Sequence, residues 1–177
     1  FYYQGRIIEN IRISNTVDAY AVNGWESMKL ENHSGIVDNY RFPKGDPEVM
    51  ARYNAPLYLA VKMHRKVVST GDTTLVDTYI VNEKNLKGSY ILNLVAKDES
   101  GNVVASHKER VTVKGGNDYG QCLQSGWAFI PKSKGYTRIE ASLLKGKTEL
   151  VKGDDLLFAV ELNTKGITTR GSVADTT

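Results

Sequence analysis

A single cysteine, Cys122, stands among 177 residues, so the chain can close no disulfide on itself and build no multi-cysteine zinc site. Proline is scarce, at four, and the three histidines, His33, His64 and His107, are too scattered in sequence to suggest a metal site. No cofactor is therefore expected. No run approaches the roughly 18–20 apolar residues that a membrane-crossing helix needs, so no membrane partner is expected either. Charge of one sign is also lacking: 23 basic residues stand against 20 acidic ones, a net +3. Lys and Arg alternate with Asp and Glu throughout, whereas a nucleic-acid binder gathers its positive charge on one face. The opening FYYQGRIIEN has neither the charged lead nor the apolar stretch of a signal peptide, and there is no initiator methionine. The chain reads as cut from something longer. No G-x-S-x-G, G-x-x-x-x-G-K-[ST] or H-E-x-x-H signature occurs.

What remains is ordinary globular material, 41% hydrophobic and 24% charged, long enough for one domain or one domain and part of another. Two textures meet near Pro56. In the first, apolar Ile7, Ile8 and Ile11 fit a short helix over residues 5–14, bounded by Asn15. Residues 18–24, DAYAVNG, suit a buried strand ended by Asn-Gly. Residues 25–46 are polar and irregular. Then Asp46 as N-cap, Pro47 at the first helical position and Glu48 in the first turn predict a helix, with Val49, Met50, Tyr53 and Leu57 on its apolar stripe. Pro56 ends or kinks it.

From Leu57 the period changes to two. LYLAVKMHRKVV, TLVDTYIVN, SYILNLVAKD, NVVASHKERVTV, TRIEASLLKG and LLFAVEL read as strands separated by turn residues, which predicts an all-β sandwich. Tyr90, Leu92, Leu94 and Ala96 form one apolar face against the mixed face of Ile91, Asn93, Val95 and Lys97. Residues 99–102 form a hairpin turn. Gly71-Asp72 and Gly153-Asp154 are read as turns of two further hairpins. Cys122 is placed in a loop as a partly buried thiol, Gly115-Gly116 in a flexible connection, and His64 and His107 on the surface. Asn82-Glu83, a pair that carries the acid/base in many glycosidases, falls at a strand end and reads as a turn. Trp127 and Phe129 suit the core or an inter-domain contact. Residues 166–177 read as a linker or the start of a further domain.

Residues 18–56, DAYAVNGWESMKLENHSGIVDNYRFPKGDPEVMARYNAP, resemble the last strand, loop and helix of the catalytic barrel in glycoside hydrolase family 2, which includes β-galactosidases, β-glucuronidases and β-mannosidases. Residues 35–44, GIVDNYRFPK, look like the stretch that precedes the last barrel helix. Residues 57–162 are similar to the immunoglobulin-like domains that follow the barrel. The resemblance implies a mainly β chain: an immunoglobulin-like β-sandwich over residues 57–165, preceded at 1–56 by a short α/β remnant of a (β/α)8 barrel. It implies that Trp25 matches the tryptophan lining the sugar subsite. Asn32 lies in the loop that carries an Asn-x-Lys contact to the sugar acid in glucuronidase relatives, and position 34 is Ser where that motif has Lys. The family is retaining and uses two glutamates about 5 Å apart. Both would precede Phe1, so this chain alone is expected to be inactive. The implied partners are β-linked carbohydrate, through the parent enzyme, and the parent's remaining domains. A periplasmic or extracellular bacterial setting follows from that substrate class. Ile7, Ile11, Tyr20 and Val22 would be left bare on an orphaned remnant, so residues 1–56 are expected to pack onto the sandwich or to drive self-association. The alternative is a stand-alone carbohydrate-binding or adhesion sandwich, which would require a planar cluster of exposed aromatics. Tyr79, Tyr90 and Phe158 lie on strands whose alternation suggests burial.

Overall fold

A computed structural model describes residues 1–22 and 35–161. Two helices come first, α1 (Tyr2–Ile13) and α2 (Pro47–Tyr53). Eight strands follow: β1 (Leu57–Met63), β2 (Val67–Ser69), β3 (Thr74–Asn82), β4 (Gly88–Asp98), β5 (Val103–Val113), β6 (Gly120–Phe129), β7 (Gly135–Lys145) and β8 (Thr148–Val160). They form a three-stranded sheet, β1-β3-β6, and a five-stranded sheet, β2-β8-β7-β4-β5, whose inner faces share one core. The fold is a mainly β sandwich.

The period-two pattern accounts for that core. Tyr90, Leu92, Leu94 and Ala96 are buried, while Ile91, Asn93, Val95 and Lys97 line the outer face, half-buried. Ile139, Ala141 and Leu143 on β7 and Leu157 and Ala159 on β8 complete this inner face. Leu59, Val61, Val76, Ile80 and Trp127 come down from the other sheet to meet them. Each Leu, Ile or Val among them contributes roughly 1.5–3 kcal/mol when removed from water.

The opposite face of β1 is also apolar, because Tyr58 and Ala60 alternate with Leu59 and Val61. The helices cover it. Ile8 of α1 and Met50 and Tyr53 of α2 pack on Tyr58, Ala60 and Val81. The two helices are therefore a third layer on the sandwich, although Ile7, Tyr20 and Val22 keep exposed surface. Asn15, in the left-handed region (φ 56°), stops α1 where expected. Its side-chain amide accepts from the Gly120 N–H at 2.7 Å and donates to the Gly120 carbonyl at 2.5 Å, fastening the helix end to β6. Asp46 caps α2 by accepting from Glu48 N–H at 3.0 Å, and that helix ends before Pro56, as the sequence implies.

Four expectations need correcting. Residues 18–22 form no strand and lie exposed, because no neighbouring strand offers them a ladder; residues 23 and 24 fall outside the described residues. LYLAVKMHRKVV is two strands: β1 pairs with β3 in one sheet, and after His64–Lys66 the chain crosses to run parallel with β8 in the other. A whole strand, β6, occupies what reads as a loop around Cys122. Gly120, Gly126 and its polar residues hide the alternation, and Cys122 is exposed on this edge strand. Gly153-Asp154 lies inside β8, and the β7–β8 turn is made at Gly146-Lys147.

Asp77 holds the β3–β6 pairing together where its register shifts. It accepts from Gly126 N–H at 2.7 Å and Ser125 Oγ at 3.0 Å, and faces His64 Nε2 at 3.0 Å. Burial pushes its carboxyl up, but the Gly126 amide, His64 and Ser125 outweigh burial and hold it below the usual carboxylate range. A lowered folded-state pKa contributes stability that is present above the unfolded value of about 3.9 and lost as pH falls through the folded one. Asp77→Ala is expected to cost about 1–2 kcal/mol near neutral pH and progressively less below about pH 4. Urea melts of both proteins across that range test this.

Candidate functional site

The most concentrated chemistry lies where α1 meets the seam between β1 and β8. Arg6 sits almost wholly buried at its centre. Its Nη1 donates to both carboxylate oxygens of Glu9, at 2.7 and 2.8 Å, and to the Val61 carbonyl at 3.2 Å. Its Nη2 pairs with Asp155 and donates to the Asp154 carbonyl at 3.1 Å. Glu9, fully buried, also accepts from the Tyr58 hydroxyl at 2.8 Å and faces Lys62 at 3.2 Å. Asp155 accepts from the Tyr2 hydroxyl at 2.7 Å and pairs with Lys66.

The electrostatics agree with the geometry. Burial pushes the Tyr2 hydroxyl up to about 12, with Asp155 adding to it. Burial and then Glu9 push Tyr58 up further. Burial works against the Arg6 charge, but Glu9 and Asp155 more than offset it. Each carboxylate here is tied to cations and a hydroxyl. None has the open approach that a general base or nucleophile requires. A second arginine, Arg12, donates to the Tyr53 carbonyl at 2.6 Å, to the Ala55 carbonyl at 2.8 Å and to Glu83 at 2.6 Å. Glu83 is thus a structural partner in a turn, where Asn82 bonds the Leu86 backbone, as its place at a strand end implies.

Beside the seam, a groove of about 540 Å³ crosses the outer face of the five-stranded sheet. Its floor is set by register: Asn93 on β4 lies opposite Ser142 on β7, which lies opposite Lys152 on β8. The next row is Val95, Glu140 and Asp154. Arg52 of α2 and Arg138 both donate to Asp154, at 2.8 and 2.6 Å, and Lys97 donates to Glu140 at 2.6 Å.

Trp25 and Asn32 lie outside the described residues. Trp127 is buried beside Phe129, as expected, and stacks on His107 with ring centroids 6.2 Å apart. That contact makes His107 half-buried, not a surface residue. Tyr90 is buried and Tyr79 half-buried. Phe158, expected inside, is exposed, because Leu157 and Ala159 take the inward positions of β8. It meets exposed Tyr136 edge-on at 4.8 Å and 61°, so the pair forms no planar platform. Among the described residues, no three His, Cys, Asp or Glu side chains gather to hold a metal ion. Sequence reasoning missed Arg6, Glu9 and Asp155. One signal was available: Arg6, Glu9 and Arg12 recur at three-residue spacing on a helix whose neighbouring Gly5 and Ile8 face inward.

No protein-family model matches the sequence. No curated protein matches it either. Solved structures do show similarity. A glycosyl hydrolase family 2 member from Bacteroides cellulosilyticus is 19% identical over 58% of this chain and 15% of its own, with a TM-score of 0.44. A β-glucuronidase from Bacteroides uniformis is 17% identical over 57% of this chain and 13% of its own, with a TM-score of 0.44. A CARDB domain from Pyrococcus furiosus, solved in complex with di-metal ions, is 15% identical over 59% of this chain and 87% of its own, with a TM-score of 0.39. The matched region spans about one seventh of the first two chains.

Proposed function

We propose that this chain is a non-catalytic β-sandwich region of a retaining, family 2-like glycoside hydrolase acting on β-linked carbohydrates. In this reading the sandwich buttresses and spaces the parent's other domains. The observation that carries it is the buried Arg6–Glu9–Asp155 junction, which makes the α1–α2 segment a fixed layer of the sandwich. A segment so fastened transmits position, which is what a buttress must do. The sequence resemblance of residues 18–56 supplies the enzyme class. Trp25 would provide a sugar-stacking wall and Asn32 a polar contact, both completed by residues of the parent that precede Phe1. Residues 1–56, whose helices pack on the sandwich, would join it to the end of the parent's barrel, and residues 166–177 would form a linker or the start of a following domain.

Two measurements test this. The isolated chain is expected to release no product from p-nitrophenyl β-galactoside, β-glucuronide or β-mannoside, because a retaining mechanism needs two appropriately placed carboxyl groups. Turnover abolished by substitution within this chain would overturn the non-catalytic assignment. The coding sequence upstream of Phe1 is expected to encode alternating strands and helices with an Asn-Glu pair and a second glutamate. A second sandwich there would overturn the hydrolase reading and favour a stand-alone binding or adhesion module.

A further inference from the structure

We infer that the groove on the outer face of the five-stranded sheet is a binding site for a neutral oligosaccharide. Its side chains select that chemistry by elimination. Glu140 and Asp154 are acceptors in ion pairs with Lys97, Arg52 and Arg138. The side chains of Asn93, Ser142, Lys152 and Glu149, which also line the groove, have no hydrogen-bond or ion-pair partner among the described residues, while their backbones pair in the sheet. Donors and acceptors are therefore interspersed. A simple anion would meet three carboxylates, and a simple cation would meet four basic groups. An apolar ligand would strip water from all of them without replacing its hydrogen bonds. A polyol both donates and accepts at closely spaced points and satisfies the two sets together.

The dimensions agree. Asn93, Ser142 and Lys152 stand on successive strands, so the free row spans about 10 Å at the ~4.8 Å spacing of paired strands. Val95 gives a small apolar contact on the floor, and Arg52 of α2 walls one end. The site uses no aromatic platform, so it is distinct from the exposed Tyr136–Phe158 pair. The inference rests on the groove alone. It can hold while the hydrolase reading fails at the upstream gene, or fail while that reading holds.

The test is a backbone amide NMR titration of the full chain with β-1,4-linked gluco-, galacto- and mannotetraose, and with tetragalacturonate as the charged control. Ligand is taken to about 20 mM, so that binding as weak as a millimolar Kd reaches saturation. The expected result is saturable shifts at Asn93, Ser142 and Lys152 with at least one neutral tetraose. Asn93→Ala/Ser142→Ala should weaken binding about fivefold or more at unchanged melting temperature, as loss of one or two hydrogen bonds requires. If the double variant melts early, Lys152→Ala, which alters an exposed side chain, takes its place. No shifts with any neutral ligand, shifts confined to Tyr136 and Phe158, binding of the charged control alone, or unchanged affinity in a folded variant would each overturn the inference.

Discussion

Arg6→Ala is expected to destabilise the protein by about 3–5 kcal/mol, the range for breaking a buried ion pair by removing one partner. The loss leaves the Glu9 and Asp155 side chains, 0% and 1% exposed, facing each other's charge without the guanidinium between them. Lys62, Tyr58, Lys66 and Tyr2 remain, so neither carboxylate is stripped of every partner. That compensation keeps the effect within the range. At roughly 2–4 °C per kcal/mol for a chain of this size, the melting temperature should fall by about 10 °C. A second variant separates the cost of stranded charge from the worth of the pairs. Arg6→Met with Glu9→Leu and Asp155→Leu removes all three charges, and such replacements are often neutral or stabilising elsewhere. Recovery of most of the loss in the triple variant would mean that the junction specifies where α1 docks more than it stabilises the fold. Thermal and urea melts of the two variants decide this. Equal loss in both would assign the energy to the pairs themselves.

Gly153→Ala is the second large effect. Gly153 lies mid-strand in β8, and a Cβ there would overlap the Leu59 carbonyl oxygen of β1. Backbone cannot swing aside as a side-chain tip can. β8 or β1 must shift as a unit, and that shift would pull on Asp154 and Asp155, the next residues, which carry the junction to Arg6, Arg52 and Arg138. Overpacking typically costs 1–3 kcal/mol, and here the coupling to the charged junction argues for about 3 kcal/mol or more. Gly71→Ala is the control: its φ of +88° strains an alanine, but nothing lies within 4 Å of its Cβ position. It should cost only about 1 kcal/mol. Calorimetry on both variants gives the comparison. A Gly153→Ala loss no larger than the control's would mean that β8 can slide freely past β1.

These two residues also mark what the sequence could and could not reveal. Periodicity placed the cores of six of the eight strands, because alternation such as that of Tyr90, Leu92, Leu94 and Ala96 depends only on which side chains leave water; it ran β2 into β1, which lies in the other sheet. Local chemistry placed α2, because Asp46, Pro47 and Glu48 act within one turn. Gly153 read as a turn residue because a glycine's local signal does not distinguish a tight turn from a close crossing of two strands. The β6 strand stayed hidden for a related reason. Gly120 and Gly126 are there for the passage of α1 and for a bulge, and both erase the period. The junction was the least legible part. Arg6 and Glu9 are separated from Asp155 by more than 140 residues, and nothing local couples them.

The sequence by itself determined the class of this protein: a β-rich sandwich after a segment with two helices, without an internal disulfide, a multi-cysteine metal site or a concentrated charge. Those properties follow from composition, hydrophobic alternation and capping, which act over a few residues. Only the tertiary structure decided that this segment is bolted to the sandwich by buried charge, and that Asn93, Ser142 and Lys152 line one groove. Both depend on strand register and on the crossing of β8 over β1, which are set by the packing of the whole chain.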